Sequence, residues 1–363
     1  MSGEFGEKCR SFECSSQLWS DRGVTQYVER RKILLLAGVG ENTLRPRVQE
    51  VPRPKLLHSP EFQRLAYGIY GTRDQSPSAD EAWEQNLRVL LLRSGSDSGI
   101  GLRSAARLHR LDGFKENEAL ETISKNAHHS RSDRVHRSRT LKVDDFTVVD
   151  GFRVTTVGRT LLDLGRVASA NQIEFALESA LRGPDPGTPR SWNDSLLAEL
   201  TDRAIGSRPR TGAKQLRFVL ARRPPETVPT GSFAETSWLQ GVRMYGLGGI
   251  ERQPEIRYFD PNGSLMRRFF PDFGEIERLF LVDVNGRESR NGATMTEADV
   301  RRLNVLSRVF RVHVVSGSDA VNHPKRSGSE VASLILNTPV VSFPATINGH
   351  RLVRTPTGLD IFA

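Results

Sequence analysis

Residues 279–287 read Leu-Phe-Leu-Val-Asp-Val-Asn-Gly-Arg. The run to Val284 is apolar apart from one carboxylate, and it reads as a strand. Alternation along a strand puts Asp283 and Asn285 on one face. Upstream, Pro271-Asp272 closes a second strand read over 268–272, and a third is read over 255–259. Glu235 lies earlier still, on a helix read over 233–245. Downstream, 296–309 has helical spacing and 311–315 is again strand-like. Strand, strand, helix, strand in that order predicts a mixed α/β domain over 230–320. Two oxygens on one strand face, with Asp272 opposite, suit a hard cation such as Mg2+. Such an ion would activate water and neutralise charge on a phosphate. The candidate metal ligands are Asp272 and Asp283, and the candidate catalytic set adds Asn285 and Glu235. The plain alternative is a strand-end Asp and Asn making turn bonds around Gly286.

The rest of the chain is organised around Pro- and Gly-rich breaks. Residues 1–20 read as a disordered tail. From Gln26 the apolar residues Tyr27, Val28, Ile33, Leu34, Leu36 and Ala37 fall on one helical face, stopped by Gly38 and Gly40. Asn42 or Thr43 then caps a second helix bearing Arg45 and Arg47. Residues 64–71 alternate like a strand. Two short helices and a strand outline a winged helix-turn-helix over 21–75. Its second helix would offer Asn42, Thr43, Arg45 and Arg47 to DNA. A middle α/β domain is read over 80–223, with helices at 81–93, 102–111, 157–167 and 172–181. A hairpin is read at Asp150-Gly151. Within it Thr156 caps a helix on which Asp163 pairs with Arg159, a structural arrangement. His128-His129 beside Arg137 and Arg139 reads as a basic loop that touches phosphate. Residues 337–363 read as a C-terminal hairpin around Asn348-Gly349.

Bulk properties limit the function classes. The 363 residues carry 52 Lys and Arg against 43 Asp and Glu, a net charge of +9, which favours a polyanionic partner. The two cysteines, Cys9 and Cys14, are too few for a structural zinc and do not staple the fold, as expected of a cytoplasmic protein. No apolar run approaches the roughly 20 residues that span a bilayer, and the N-terminus has no basic-then-apolar signal pattern. A membrane partner is not expected. No Walker motif, dinucleotide fingerprint or Ser-His-Asp signature is present.

Two resemblances sharpen this reading. Gly38-Val-Gly-Glu-Asn-Thr-Leu-Arg45 followed by Tyr67-Gly-Ile-Tyr70 resembles the N-terminal domain of AbiEi-type antitoxins. Arg103-Ser-Ala-Ala-Arg-Leu-His109, Val135-His-Arg-Ser138 and the run Gly151 to Leu164 extend the match over about 23–182. The family implies a transcriptional regulator that binds double-stranded DNA at its own promoter, with a toxin protein encoded nearby as partner. DNA binding of this kind needs no cofactor. Secondly, Ser232-Phe-Ala-Glu235, Phe270-Pro-Asp-Phe273, Val282 to Arg287 and Asp299-Val-Arg-Arg-Leu-Asn304 resemble the Vsr-like domains of the PD-(D/E)xK nuclease class. That class implies a Mg2+-dependent endonuclease. Here Asp283 stands where relatives have Glu, a tolerable exchange, but Asn285 stands at the lysine position, so the catalytic set is incomplete. The expected fold class is therefore α/β (α+β overall): a winged helix-turn-helix, a mixed α/β middle region and a restriction-endonuclease-like α/β domain. Regulation by DNA binding with a degenerate nuclease-like domain is the leading reading, and an active endonuclease the alternative.

Overall fold

The computed structural model describes residues 24–25, 34–37, 62–66, 69–72, 78–95, 97–125, 135–182, 193–206, 212–224, 227–247, 249–285 and 297–363. The chain divides into two compact units. The first comprises 1–110, 114–167 and 210–212, and the second 111–113, 168–209 and 213–363. Both are mixed α/β. Among the described residues no helix is long and apolar enough to cross a membrane.

In the first unit four short strands form a sheet ordered β1-β2-β4-β3: β1 (Val24–Thr25), β2 (Leu34–Ala37), β3 (Phe62–Ala66) and β4 (Ile69–Thr72). Residues 34–37 are thus strand where the periodicity places helix. The run Ile33-Leu-Leu-Leu-Ala37 is apolar without interruption, and such a run fits a buried strand as well as a helix. The remainder of the helix pair, with Asn42, Thr43, Arg45 and Arg47, lies outside the described residues, as does His128-His129.

The unit's larger sheet is ordered β7-β6-β5-β9-β8. Its strands are β5 (Ser98–Ile100), β6 (Thr122–Ser124), β7 (Val135–Arg137), β8 (Phe146–Val149) and β9 (Phe152–Thr155). Asp150 (φ 48°) and Gly151 (φ 75°) both take left-handed backbone, the geometry the hairpin requires. Helix α1 (Ala79–Ser94) opens with a capping box in which the Ser78 hydroxyl accepts from Glu81 N–H and the Glu81 carboxylate accepts from Ser78 N–H. Its Trp83, Leu87 and Leu91, one turn apart, pack with Ile100, Phe152 and Val154 of the sheet and with Ala105 and Leu108 of α2 (Leu102–Leu108). Thr156 caps α3 (Val157–Leu164), and Asp163 holds Arg159 Nε at 2.7 Å, both buried.

The second unit begins with α4 (Ala170–Arg182), α5 (Asp194–Gly206) and α6 (Ala213–Ala221). Two sheets follow. One is ordered β10-β13-β14-β15: β10 (Glu251–Arg252), β13 (Phe273–Glu275), β14 (Phe280–Asn285) and β15 (Arg311–Ser316). The pair β14–β15 is parallel, so the chain crosses over through α8 (Glu297–Leu306). The other sheet is ordered β12-β11-β18-β17-β16: β11 (Glu255–Phe259), β12 (Leu265–Phe269), β16 (Ala345–Ile347), β17 (His350–Thr355) and β18 (Gly358–Phe362).

Strand β14 is buried on both faces, which is why its sequence scarcely alternates. Phe280, Val282 and Val284 join Trp238, Leu239 and Val242 of α7 (Phe233–Arg243) and Val331 and Ile335 of α10 (Pro324–Leu336), with α9 (Gly317–Asn322) leading into α10. Leu281 belongs to a second cluster with Leu306 of α8 and Ile256, Leu352, Leu359 and Ile361 of the other sheet. Asp283 shares the parity of Leu281 and so projects to the α8 side.

Candidate functional site

Asp272 sits between β12 and β13 and so joins strands of different sheets, where a single strand over 268–272 is expected from sequence. Pro271 carries no N–H for a ladder and breaks the run. The Asp272 backbone N–H donates to Asp283 Oδ1 at 3.2 Å. In return its Oδ2 accepts from Val284 N–H at 2.7 Å. This double latch fixes the two carboxylates beside each other at the edge of β14. Asp283 Oδ1 also accepts from Arg302 Nη2 of α8 at 3.1 Å, and Nη2 reaches the carbonyl of Phe270 at 3.3 Å.

Glu235 enters from the first turn of α7. Ser232 caps that helix, accepting from Glu235 N–H at 3.2 Å. The Glu235 carboxylate turns back and accepts from Gly231 N–H at 2.6 Å. That is a capping box displaced by one residue, so Glu235 braces its helix as well as facing the site. The position of α7 is set by α10: Gly241 and Gly328 allow the two helices to approach backbone to backbone.

Asp272 and Glu235 both feel neighbouring carboxylates. Burial first, and then the charges of Glu235 and Asp283, push the Asp272 carboxyl well above the usual carboxylate range, against the Val284 N–H and Arg302. Burial also raises Glu235, opposed by the Gly231 and Ser232 hydrogen bonds and by Arg182, while Asp283 adds to the rise. Like-charged oxygens in a poorly solvated setting are the kind of group that a hard divalent cation relieves. Among the described residues, however, no three His, Cys, Asp or Glu side chains stand close enough to hold an ion as they are. The oxygen donors are of the type that hard cations take, but as placed they form no ion-holding group among the described residues, and Asp283 has its cationic partner in Arg302.

Asn285 is the last residue of β14, opposite Ser316 of β15, and its side chain lies outside the described residues. Of the residues singled out from sequence, Asp272 and Asp283 are joined by hydrogen bonds and Glu235 lies only within reach of their charge, whereas Arg302 has no role in that reading. The available signal was an arginine on the crossover helix that follows the carboxylate strand.

In the first unit Arg137 ends the edge strand β7 and Arg139 follows in a turn. Both are exposed, and neither has an ion pair among the described residues. Buried Glu121 is a further group that sequence reasoning misses. It accepts from Arg103 Nη2 at 2.6 Å, and His136 Nε2 lies 3.4 Å away. Comparison with protein-family models, with curated proteins and with solved structures finds no match.

Proposed function

We propose that the chain is a DNA-binding transcriptional regulator of the AbiEi antitoxin type, acting in the cytoplasm, whose second unit holds a nuclease-like carboxylate site with an incomplete catalytic set. What supports the nuclease-like part is the reciprocal pair of hydrogen bonds that ties Asp272 to Asp283 and Val284, with buried Glu235 close enough for its charge to act on Asp272. Binding without cleavage follows from Asn285, which has no cationic amine to steady a hydroxide, and from Arg302, which engages Asp283. DNA binding itself is supported by the net charge of +9 and by the exposed Arg137 and Arg139. The winged helix-turn-helix over 21–75, with Asn42, Thr43, Arg45 and Arg47 on its reading helix, rests on the sequence resemblance. The strand at Leu34–Ala37 takes the place of part of its first helix. A toxin protein encoded nearby is the partner this reading implies.

The second reading is an active Mg2+-dependent endonuclease, favoured by the hydrogen bonds that hold Asp272 against Asp283 and Val284 of β14. Asp272 and Asp283 would hold the ion, with Glu235 completing the acidic set. The bound ion would lower the pKa of water and offset charge on the scissile phosphate. Fluorescence anisotropy with promoter DNA, run beside a cleavage assay containing Mg2+ or Mn2+, separates the two. Salt-sensitive binding with no cleavage supports regulation. Cleavage lost in Asp272→Ala supports the enzyme. No binding to any duplex defeats both.

A further inference from the structure

We propose that the outer face of the sheet β12-β11-β18-β17-β16 binds single-stranded nucleic acid, with bases stacking on Phe259 and Phe362 and phosphates taken by Arg268 and Arg351. This surface shares no residue with the carboxylate site or with the duplex-reading helix.

The two faces of this sheet differ. Ile256, Leu352, Leu359 and Ile361 belong to the face that packs with Leu306 of α8. Residues of the opposite parity stand on the other face. One row of directly paired residues crosses it: Thr346 of β16 beside Arg351 of β17, then Phe362 of β18, Phe259 of β11 and Leu265 of β12. The rings of Phe259 and Phe362 are stacked, with centroids 4.8 Å apart and planes at 15°. Both are half-buried, and among the described residues neither joins a hydrophobic cluster. The row ends in the open, since Thr346, Arg351 and Leu265 are exposed. An aromatic pair therefore stands at the centre of a face that the core does not use.

The neighbouring row sets charge beside the rings. Arg257 is paired across the strands with Asp360 on one side and Arg268 on the other. The acids are the sheltered members of their ion pairs. Asp360 is 13% exposed against 29% for Arg257, and Glu255 is 12% exposed against 54% for Arg268. Arg351 is exposed and has no ion pair among the described residues. A partner arriving from solvent thus meets guanidinium groups before carboxylates, which suits a polyanion. A polyanion with flat apolar units is a single-stranded nucleic acid. Each unpaired base offers a π-face to an aromatic ring, and each phosphate matches the planar fork of arginine. A duplex keeps its bases stacked on one another and has none to offer the phenyl rings. An apolar protein segment would use the rings and leave the guanidinium groups unmatched.

The test is fluorescence anisotropy of the full chain with labelled oligothymidylate and oligouridylate, a duplex serving as reference, followed by photocrosslinking of iodouracil-substituted strands. The unaltered chain should bind a single strand, and the crosslinked peptides should contain Phe259 or Phe362. Tighter binding of one oligonucleotide assigns the surface to DNA or to RNA. Phe259→Leu with Phe362→Leu keeps apolar bulk and removes both rings. It should weaken single-strand binding at least roughly tenfold and leave duplex affinity unchanged. Arg268→Gln with Arg351→Gln should weaken the same binding and flatten its salt dependence. If the double Leu variant does not fold, Phe362→Leu alone should weaken binding and Phe259→Trp should preserve it. Unchanged single-strand affinity in a folded variant without the rings overturns the proposal, as do crosslinks confined to other segments. A dimer in sedimentation that the double Leu variant dissociates also overturns it, by giving the face to a second copy of the chain. Absence of single-strand binding by the unaltered chain overturns it and leaves the duplex reading standing.

Discussion

Gly241 lies against the backbone of Pro324 so closely that a Cβ at that position would stand 2.1 Å from the Pro324 carbonyl oxygen. The approach is reciprocal, since a Cβ on Gly328 would meet the backbone of Gly241 at 2.7 Å. Gly241→Ala should therefore push α7 away from α10 and lower stability by about 2 kcal/mol. Because Glu235 rides on α7, Mn2+ binding should weaken in the same variant. Urea denaturation gives the first quantity and titration the second. An unchanged denaturation midpoint would show that the helices yield without cost.

The buried carboxylates set a pH dependence of definite sign. Asp272 and Glu235 have folded-state pKa values above their unfolded ones. Their contribution to stability is thus complete at low pH and is lost as pH rises through the raised folded values. Asp272→Asn should remove much of that loss and raise stability at neutral pH by on the order of 1 kcal/mol. Denaturation curves collected from acid to neutral pH, without divalent ions, should converge for the two proteins at the acid end.

Glu121 behaves in the opposite way. Burial opposes its ionisation, but the nearby His136 and the hydrogen bonds from Arg103 outweigh burial and hold its pKa down at about 2. Its contribution should be present above the ordinary glutamate range and fall away as pH drops toward about 2. Glu121→Gln should cost about 2 kcal/mol at neutral pH. The difference from the unaltered protein should shrink in acid.

Arg159 is a buried cation with two acidic neighbours, Asp163 at 2.7 Å and Asp145 at 3.5 Å. Removing it leaves buried carboxylates without a partner, so Arg159→Met should cost about 3–5 kcal/mol. Adding Asp163→Leu should recover a large part of that loss. Thermal melts of the single and double variants measure the recovery, and a double variant no better than the single would assign the loss to packing.

DNA affinity should depend on two pairs of arginines in different ways. Arg137→Ala with Arg139→Ala should weaken binding to all duplexes alike and reduce the salt slope by about one for each phosphate no longer neutralised. Arg45→Ala with Arg47→Ala should abolish preference for promoter sequence. Anisotropy at several salt concentrations, on promoter and scrambled DNA, separates the two effects.

Much of the second unit is legible because its signals are local. Asn348-Gly349 marks its hairpin by two left-handed residues in succession, with φ of 49° and 82°. Asp272 and Asp283 can be paired because each follows or interrupts an apolar strand. Helix α6 is not legible, because the basic stretch from Arg203 to Arg223 masks the spacing of Ala213, Leu216 and Val219, which face its core. Arg302 and Glu121 escape for a different reason. Their partners lie 19 residues away (Asp283) and 18 residues away (Arg103). Periodicity reports which face of an element is buried, not which distant group meets it.

The parallel pairing of β11 with β18 has a consequence for the order of assembly. Arg257 of β11 and Asp360 of β18 grip each other across 103 residues of chain. The later strand is the middle member of its five-stranded sheet. On the ribosome, β11 and β12 emerge as a hairpin with one flank open, and the flank stays open until residues 358–362 are made. Closure of a loop that long is slow compared with forming the hairpins on either side. The sheet that includes β11 and β12 is therefore completed last, and a nascent chain halted short of β18 would expose Ile256 and Tyr258 to its neighbours.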